Sequence, residues 1–230
     1  MSAEPAAPRL RFAYWSDPYC IWAYVAQRPL EALLQLHAGL LDVDYHVIPV
    51  FGSIPHRFSA GAWAAGGTAG RVAATAKVAA EHGHPEVDGT CWEVVRPSSS
   101  WAAGAAIKGV FADEAAGLQP EGAGAAFQKD LREAFFVHRL DTSHRKVQLQ
   151  RAEGLGLDVA QLERQLDTGL GLAWMAEDEE VRQRSHLQGS PSWVFDGGRA
   201  VLYGRVNQDV LRHTVLDLLA GLRPGGSRCG

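Results

Sequence analysis

The sequence predicts an α/β protein in which a βαβ segment and a ββα segment enclose a large all-helical insertion. Residues 9–14 (RLRFAY) and 41–50 (LDVDYHVIPV) alternate polar and apolar side chains, which is typical of strands. Between residues 61 and 188 the apolar residues recur at helical spacing instead. After Gly189 the strand pattern returns. This order of patterns defines the predicted fold class.

The N-terminal segment predicts a strand, a helix and a second strand, with a crossover long enough for parallel pairing. The helix is predicted to run from Cys20 to about Leu36, because apolar residues recur along it at helical spacing. Pro29 lies inside this pattern and predicts a kink, since a proline cannot donate its backbone hydrogen bond.

The insertion is predicted to consist of helices separated by Gly/Pro punctuation. They are expected at residues 61–81, from Ser98-Ser99-Ser100 to 116, at 122–140, after Asp141, from Asp158 and at 170–187, with a loop at 82–97.

The C-terminal segment predicts a β-hairpin, because residues 192–195 and 200–203 flank the turn Asp196-Gly197-Gly198. A closing helix is expected up to about Leu222. The predicted domains are a discontinuous sheet domain (9–60 and 189–223), an inserted helical domain (61–188) and a flexible tail (224–230).

Composition narrows the function classes. The chain has 230 residues, 47% of them hydrophobic, and a formal net charge of −4. Because no basic run occurs, nucleic acid is not an expected partner. No apolar stretch has the length of a membrane span or a secretory signal, so neither is expected. Three scattered cysteines do not form a disulfide framework, and the sequence therefore predicts a cytoplasmic protein with reduced thiols.

The segment YWSDPYCIWAY places Cys20 at the mouth of the first predicted helix. The positive end of the helix dipole and free backbone N–H groups favour a thiolate there, with a pKa of roughly 3.5–7.5. Asp17 is expected to cap this helix, and its charge would oppose the thiolate. The alternative is that Cys20 is a small buried hydrophobic residue without chemistry.

A second feature is Gly189-Ser190-Pro191-Ser192-Trp193. A proline that opens a strand cannot donate to the sheet, and Gly-Ser before it indicates a turn. This combination favours a cis peptide bond between Ser190 and Pro191. The alternative is an ordinary trans-proline at the start of a strand.

Together these features resemble the thioredoxin-like fold of the DsbA family over nearly the whole chain. YWSDPYCIWAY is similar to the Asp-Pro-x-Cys-Pro-Trp-Cys-Tyr segment of its FrnE-like branch; Asp17, Pro18, Cys20, Trp22 and Tyr24 match, whereas Ile21 and Ala23 depart. AAFQKDLREAFFVHRLDTSHRKVQLQRAEGLGLD resembles the helical domain of that branch, and GSPSWVF resembles its cis-proline loop.

The resemblance implies a thiol–disulfide oxidoreductase. Cys20 would be the reactive thiol and Pro191 the cis-proline, and the backbone of Ser190 would pair with an extended peptide or glutathione. Tyr19 and Trp22 complete the candidate substrate-binding residues. No bound cofactor is expected, although glutathione is a candidate co-substrate. A homodimer rests only on the analogy with the family.

Ala23 stands where the second cysteine of a Cys-x-x-Cys pair would resolve a mixed disulfide. The sequence therefore predicts monothiol chemistry, in which Cys20 forms mixed disulfides with protein or glutathione. Resolution is left to an external thiol, or to Cys91 or Cys229. His82 and His84 have zinc-compatible spacing but lack a second Cys-rich half, so no metal site is predicted.

Two other functions stay open. The segment also resembles, more weakly, the glutathione-binding segment of kappa-class glutathione transferases and 2-hydroxychromene-2-carboxylate isomerases. Those families carry serine at the position of Cys20 and have no residue matching Asp17 between Ser16 and Pro18. In that case Cys20 would orient or activate glutathione, and the helical domain would shape an apolar pocket. The third alternative is a non-catalytic thioredoxin-like binding module.

Overall fold

The computed structural model describes residues 9–222, and the predictions for the tail and for Cys229 lie outside this range. Four strands form one sheet in the order β2-β1-β3-β4. They are β1 (Leu10–Ser16), β2 (Leu41–Val47), β3 (Ser192–Phe195) and β4 (Ala200–Tyr203). β1 pairs with β2 in parallel and with β3 antiparallel, and β3 and β4 form the predicted hairpin.

The helices account for most of the remaining chain. They are α1 (Ile21–Val25), α2 (Gln27–Leu36), α3 (Ile54–Ser59), α4 (Gly67–Glu81), α5 (Cys91–Val94), α6 (Trp101–Ala115), α7 (Ala123–Phe136), α8 (Arg145–Gly154), α9 (Val159–Asp167), α10 (Leu170–Arg184) and α11 (Gln208–Leu222). Since α3 to α10 all lie between β2 and β3, the predicted α/β fold with a large helical insertion is confirmed. The domain boundaries stay a prediction. None of the helices in the described range has the length and apolarity needed to cross a membrane.

The first predicted helix is split at Ala26, three residues before Pro29. In a continuous helix the backbone N–H of residue 29 would bond to the carbonyl of Val25, and proline has no N–H to donate. The chain therefore begins a new helix at Ala26, whose carbonyl accepts from the Leu30 N–H at 3.0 Å. Pro29 falls in the first turn of α2, where a proline is tolerated.

Three further helices, α3, α4 and α5, differ from the predicted ones. α3 begins before the predicted helix at 61–81, because Ser53 Oγ caps it by accepting from the His56 N–H at 3.4 Å. α4 starts only at Gly67. α5 is a single turn inside the predicted loop 82–97.

Close packing holds the helical insertion together. A Cβ on Gly171 of α10 would lie 2.4 Å from the Ala105 carbonyl oxygen of α6, and one on Gly104 would lie 2.8 Å from Met175. At Gly171 only glycine permits this approach, because the neighbouring atom belongs to the backbone of α6. The predicted helical pattern therefore also encodes a tight contact between α6 and α10.

Asp178 of α10 ties the insertion to the edge of the sheet. Its buried carboxylate accepts from the backbone N–H of Val47 at 2.8 Å and lies 2.7 Å from His46 Nδ1, both on β2. Lys108 of α6 completes the cluster with an Nζ–Oδ2 distance of 3.0 Å. One carboxylate thus joins β2, α6 and α10.

Candidate active site

Cys20 lies between the end of the central strand and the first helix. β1 ends at Ser16, and Cys20 occupies the position before the first residue of α1. Its backbone N–H donates to the Asp17 carbonyl at 3.3 Å, and its carbonyl accepts from the Ala23 and Tyr24 N–H groups at 3.0 Å each. The residue is only 5% exposed. The sequence therefore placed Cys20 correctly at the helix mouth.

The cis-proline loop meets Cys20 from the other side. The Ser190–Pro191 peptide bond is cis. The Cys20 Sγ donates to the Ser190 carbonyl oxygen at 3.1 Å, and the Asp17 N–H donates to Ser190 Oγ at 2.8 Å. Trp15 of β1 pairs with Ser192 of β3, so the strand register brings these two loops together from 170 residues apart.

Asp17 is a buried carboxylate within this loop. Its Oδ1 accepts from the Tyr19 N–H at 2.7 Å, and its Oδ2 accepts from the Phe51 N–H at 3.2 Å. Burial raises the pKa of Asp17 to about 6, although these backbone bonds and the charge of Arg132 lower it. Asp17 thus stabilises the loop next to Cys20. The prediction that its side chain caps α1 is wrong, because that helix has no side-chain cap.

The electrostatics of Cys20 differ from the expectation of a lowered pKa. Burial raises the pKa of the Cys20 thiol, because a thiolate loses its hydration there. The Ser190 side chain lowers the pKa, the Asp17 charge raises it, and backbone N–H groups of Ala23 and Trp22 lower it. The start of α1 therefore lowers the pKa of Cys20, as predicted. Because α1 has only five residues, burial outweighs this effect and the net change is a raised pKa.

The predicted substrate-binding residues divide into two groups. Ser190 and Pro191 meet Cys20, and Trp22 is 40% exposed two residues beyond it. Tyr19 is fully buried, its ring centroid lies 4.7 Å from that of Phe135, and its hydroxyl contacts Thr142. A core residue of this kind has no surface to offer a substrate, so the assignment of Tyr19 is corrected to packing.

Cys91 lies in the same buried cluster as Cys20, at the start of α5. Its Sγ donates to the Gly89 carbonyl at 3.6 Å, and burial raises its pKa to about 12. Both cysteines are free, and Ala23 is fully buried with no sulfur to contribute. Across residues 9–222, no three His, Cys, Asp or Glu side chains converge in a way that would hold a metal ion.

Sequence reasoning missed Arg132 of α7, which is 1% exposed behind the Cys20 loop. Its guanidinium donates to Ser16 Oγ, the last residue of β1, and to Gln27 Oε1 at 3.0 Å. The available signal was its position: Gln128 and Arg132 lie four residues apart on the face of α7 that also carries Leu131 and Phe135. A charged residue on an apolar helix face indicates a specific buried partner.

Fold and site together define a thioredoxin-fold protein of the DsbA-like kind, with a helical insertion between the two halves of the sheet. The family model Thioredoxin_5, described as Thioredoxin, matches residues 72–200, which is more than half of the chain. The chain belongs to this thioredoxin family. The matched segment includes the cis-proline loop and begins after Cys20. No curated protein matches the chain.

Solved structures agree on the fold. The cytosolic disulfide reductase DsbM from Pseudomonas aeruginosa has a TM-score of 0.66 at 24% identity, over 91% of this chain and 100% of that one. A probable DsbA oxidoreductase from Streptomyces coelicolor has a TM-score of 0.71 at 18% identity, over 96% and 97% of the two chains. A 2-hydroxychromene-2-carboxylate isomerase has a TM-score of 0.63 at 16% identity, over 90% and 95%. Similarities at this level of identity carry the fold alone, and both resemblances seen in the sequence appear among them.

Proposed function

We propose that this protein is a thiol–disulfide oxidoreductase in which Cys20 is the nucleophile. One observation carries the proposal: the Cys20 Sγ lies 3.1 Å from the Ser190 carbonyl, directly before the cis bond to Pro191. A thiol in this position adjoins backbone groups that can pair with an extended substrate, as in β-augmentation. The family membership supports the same chemistry.

The proposed reaction passes through a mixed disulfide on Cys20. The Cys20 thiolate attacks one sulfur of a disulfide, forms a new S–S bond and expels the other sulfur as a thiolate. Because Ala23 has no sulfur, a thiol outside the Cys-x-x-Ala segment then attacks the mixed disulfide and regenerates Cys20. Cys91 is buried and bonded within its own turn, which favours an external thiol such as glutathione over Cys91. Cys229 lies outside the described residues and stays an alternative for this role.

Glutathione is the proposed small co-substrate, alongside protein disulfides. A cavity of about 390 Å³ reaches Gln188, the residue before the cis-proline loop, and its charged lining consists of Arg57, Arg182 and Glu179. Arg182 is paired with Glu179, whereas Arg57 donates to the Val50 carbonyl. The cavity thus has one more basic than acidic side chain, and an arginine suits a carboxylate of glutathione. The DsbM structure was also solved with GSH.

Two further predictions accompany this function. DsbM is described as cytosolic, which supports the proposed cytoplasmic location with reduced thiols. A homodimer stays a prediction from the family resemblance.

The test is to incubate the reduced protein with oxidised glutathione and to follow adducts by intact mass and peptide mapping. We expect one glutathione on Cys20 and its release when reduced glutathione is added. Cys20→Ser should form no adduct, and Cys91→Ser should behave as the wild type. An unmodified Cys20 under conditions that modify small thiols would contradict the proposal.

The second candidate is a glutathione-dependent isomerase or transferase. Ala23 favours it, because such an enzyme needs no resolving thiol, and the isomerase is among the similar structures. Saturable binding of reduced glutathione, with isomerisation of a chromene carboxylate and no mixed disulfide, would favour this function. A binding module is the third candidate, and it requires Cys20 to be inert in both assays.

A further inference from the structure

The outer edge of β2 presents backbone groups to a groove rather than to another strand. β2 is an edge strand of the sheet, and β1 lies on its inner side. The carbonyl of Leu40 and the N–H of Ile48, on either side of β2, bond to β1 at 2.8 and 3.2 Å. In a parallel pair, alternate residues direct their N–H and C=O groups toward the partner strand. Because the even-numbered residues face β1, Val43 and Tyr45 direct these groups outward.

The helical insertion covers only the C-terminal part of this edge. The Val47 N–H donates to the Asp178 carboxylate at 2.8 Å, and the Tyr45 carbonyl accepts from Lys108 Nζ at 3.4 Å. Among the described residues, none bonds to the N–H or carbonyl of Val43 or to the N–H of Tyr45. Free donors and acceptors along a strand edge are the groups that pair with an added extended chain.

A groove of about 1030 Å³ follows this open edge. Residues 41–46 form one wall, and the end of α6 with the loop before α7 forms the other. Glu114 fixes this second wall, because its carboxylate accepts from the Gly122 and Gly124 N–H groups at 2.7 and 2.8 Å. The groove therefore has two anchored walls and leaves room for an extended chain beside β2.

The side chains of β2 alternate between two faces, as the period of a strand requires. Asp42 and Asp44 form an acidic row on one face of the groove. Val43 and Tyr45 belong to an apolar row on the other face, and the Tyr45 ring stacks on Phe111 of α6 with a centroid distance of 5.1 Å. Since cross-strand neighbours lie on the same face, a strand added here meets both rows in alternation.

The charges of the groove are mostly negative. Its lining contains four carboxylates and one ammonium group, from Asp42, Asp44, Glu114, Glu121 and Lys108. Lys108 and His46 are both held by Asp178. Arg9 and Arg11 of β1 pair with two of the carboxylates at 2.9 and 3.0 Å, but these pairs are exposed and therefore weak. A segment with basic side chains is the complementary partner.

A second copy of this chain does not have that complementarity. If two β2 edges paired with each other, each would bring its own acidic row of Asp42 and Asp44 to the interface. Like charges on neighbouring strands destabilise the pairing, and charged residues along an edge oppose self-association in this way. The charges therefore favour a different protein as the occupant.

We propose that the open edge of β2 is a docking site for an extended segment of a partner protein in which basic and apolar side chains alternate. Its backbone pairs with the free groups of Val43 and Tyr45, and its basic side chains lie along Asp42 and Asp44. β2 runs parallel to β1, and Cys20 follows the end of β1, so this site lies toward the other end of the sheet. The proposal therefore does not depend on the chemistry of Cys20.

The first test uses the fluorescein-labelled peptide Lys-Val-Lys-Val-Lys with blocked ends, and fluorescence anisotropy at low salt measures its binding. We expect saturable binding, and no binding of Glu-Val-Glu-Val-Glu. Asp44→Lys should weaken binding by roughly tenfold, because it reverses a charge beside the peptide. Glu153→Lys makes the same charge change on an exposed position of α8 and should alter the affinity by less than about twofold. Failure of the lysine peptide to saturate, or equal losses in both variants, would overturn the proposal.

Hydrogen exchange resolved by NMR tests the backbone pairing on the wild type. In the free protein the Val43 and Tyr45 amides should exchange faster than those of Asp44 and His46, which face β1. Saturating peptide should slow the two outward amides by roughly tenfold or more, and an N-methylated peptide with the same charges should not. Unchanged exchange at saturation would overturn strand pairing. Protection that increases with protein concentration, without peptide, would overturn the proposal in favour of a second copy.

Discussion

The pattern Asp-x-x-Cys occurs twice in the chain, at residues 17–20 and 88–91. In both copies the aspartate side chain accepts from the backbone N–H two residues later, at 2.7 Å in the first and 2.9 Å in the second. In both copies the cysteine is buried at the start of a short helix, and burial raises its pKa. The local structures are therefore nearly equivalent.

The two copies differ in what the rest of the chain brings to them. Cys20 reaches the Ser190 carbonyl, whereas Cys91 bonds to the Gly89 carbonyl in its own turn. Asp17 is buried with a pKa raised to about 6, while hydrogen bonds from Thr90 and Arg139 lower the pKa of the more exposed Asp88 to about 2. A position at the start of a helix is common to both cysteines. Only Cys20 also contacts a loop distant in sequence, and this contact makes it the candidate site.

Exchanging each cysteine for serine should give the largest difference between the two copies. Cys20→Ser should slow the reaction with a disulfide reporter by roughly a hundredfold or more, because the nucleophile is lost. Cys91→Ser should leave the rate near that of the wild type. The rates are measured spectrophotometrically on reduced protein. Comparable losses in both variants would mean that the cis-proline loop does not distinguish the two thiols.

The two aspartates should have opposite effects on the pH dependence of stability. Because the folded-state pKa of Asp17 is raised, its charge lowers the free energy of unfolding as pH rises from about 4 to about 6. The wild type should therefore lose up to about 3 kcal/mol relative to Asp17→Asn over this interval. Asp88 has a lowered pKa, so its contribution is present above about pH 4 and is lost as pH falls toward 2.

Denaturant unfolding at a series of pH values measures both profiles. Asp88→Asn serves as the matched control, since it should leave the interval from pH 4 to 6 unchanged. Parallel wild-type and Asp17→Asn profiles in that interval would contradict a raised pKa for Asp17.

Restoring the second cysteine sharpens the comparison from the other direction. Ala23→Cys should shorten the lifetime of the mixed disulfide on Cys20 by roughly tenfold, since a local thiol then resolves it. Ala23 is fully buried, so the added sulfur should cost about 1–3 kcal/mol of stability. Quenched-flow mass spectrometry gives the lifetime. Ala23→Ser, which has a similar size and no thiol, should keep the long-lived adduct.

The smallest effect is expected at the cis-proline loop. Ser190→Ala removes the acceptor of the Asp17 N–H and should cost about 1 kcal/mol of stability. It should also raise the pH midpoint of Cys20 alkylation by iodoacetamide, because the Ser190 side chain lowers the pKa of Cys20. Ser192→Ala removes a bond to the Gly189 carbonyl on the other side of Pro191 and should leave the midpoint unchanged. Equal midpoint shifts would rule out a specific role for Ser190.

The sequence predicted those features that repeat along the chain. Alternation predicted the strands and helical spacing predicted the insertion, because each reflects a face turned toward a core. The kink was predicted at Pro29, but the helix breaks at Ala26. The reason is that the hydrogen bond Pro29 cannot donate would have gone to the carbonyl of an earlier residue, Val25. The single turn α5 was missed because four residues show no period.

The candidate site was only partly predictable for a different reason. Cys20 and Pro191 stand in recognisable local patterns. The burial of Tyr19, the raised pKa of Asp17 and the position of Arg132 depend on what packs above them. Contacts such as that between Ser16 and Arg132 join residues more than a hundred positions apart, and local spacing carries no record of them.

The Asp178 cluster limits how the helical insertion can move relative to the sheet. A protein disulfide needs room to approach a thiol that is 5% exposed, and sliding of the helical insertion along β2 would uncover a buried carboxylate and its three partners. The contact between β2 and α10 therefore resists sliding. A movement that exposes the Cys20 sulfur therefore has to leave the contact between β2 and α10 in place.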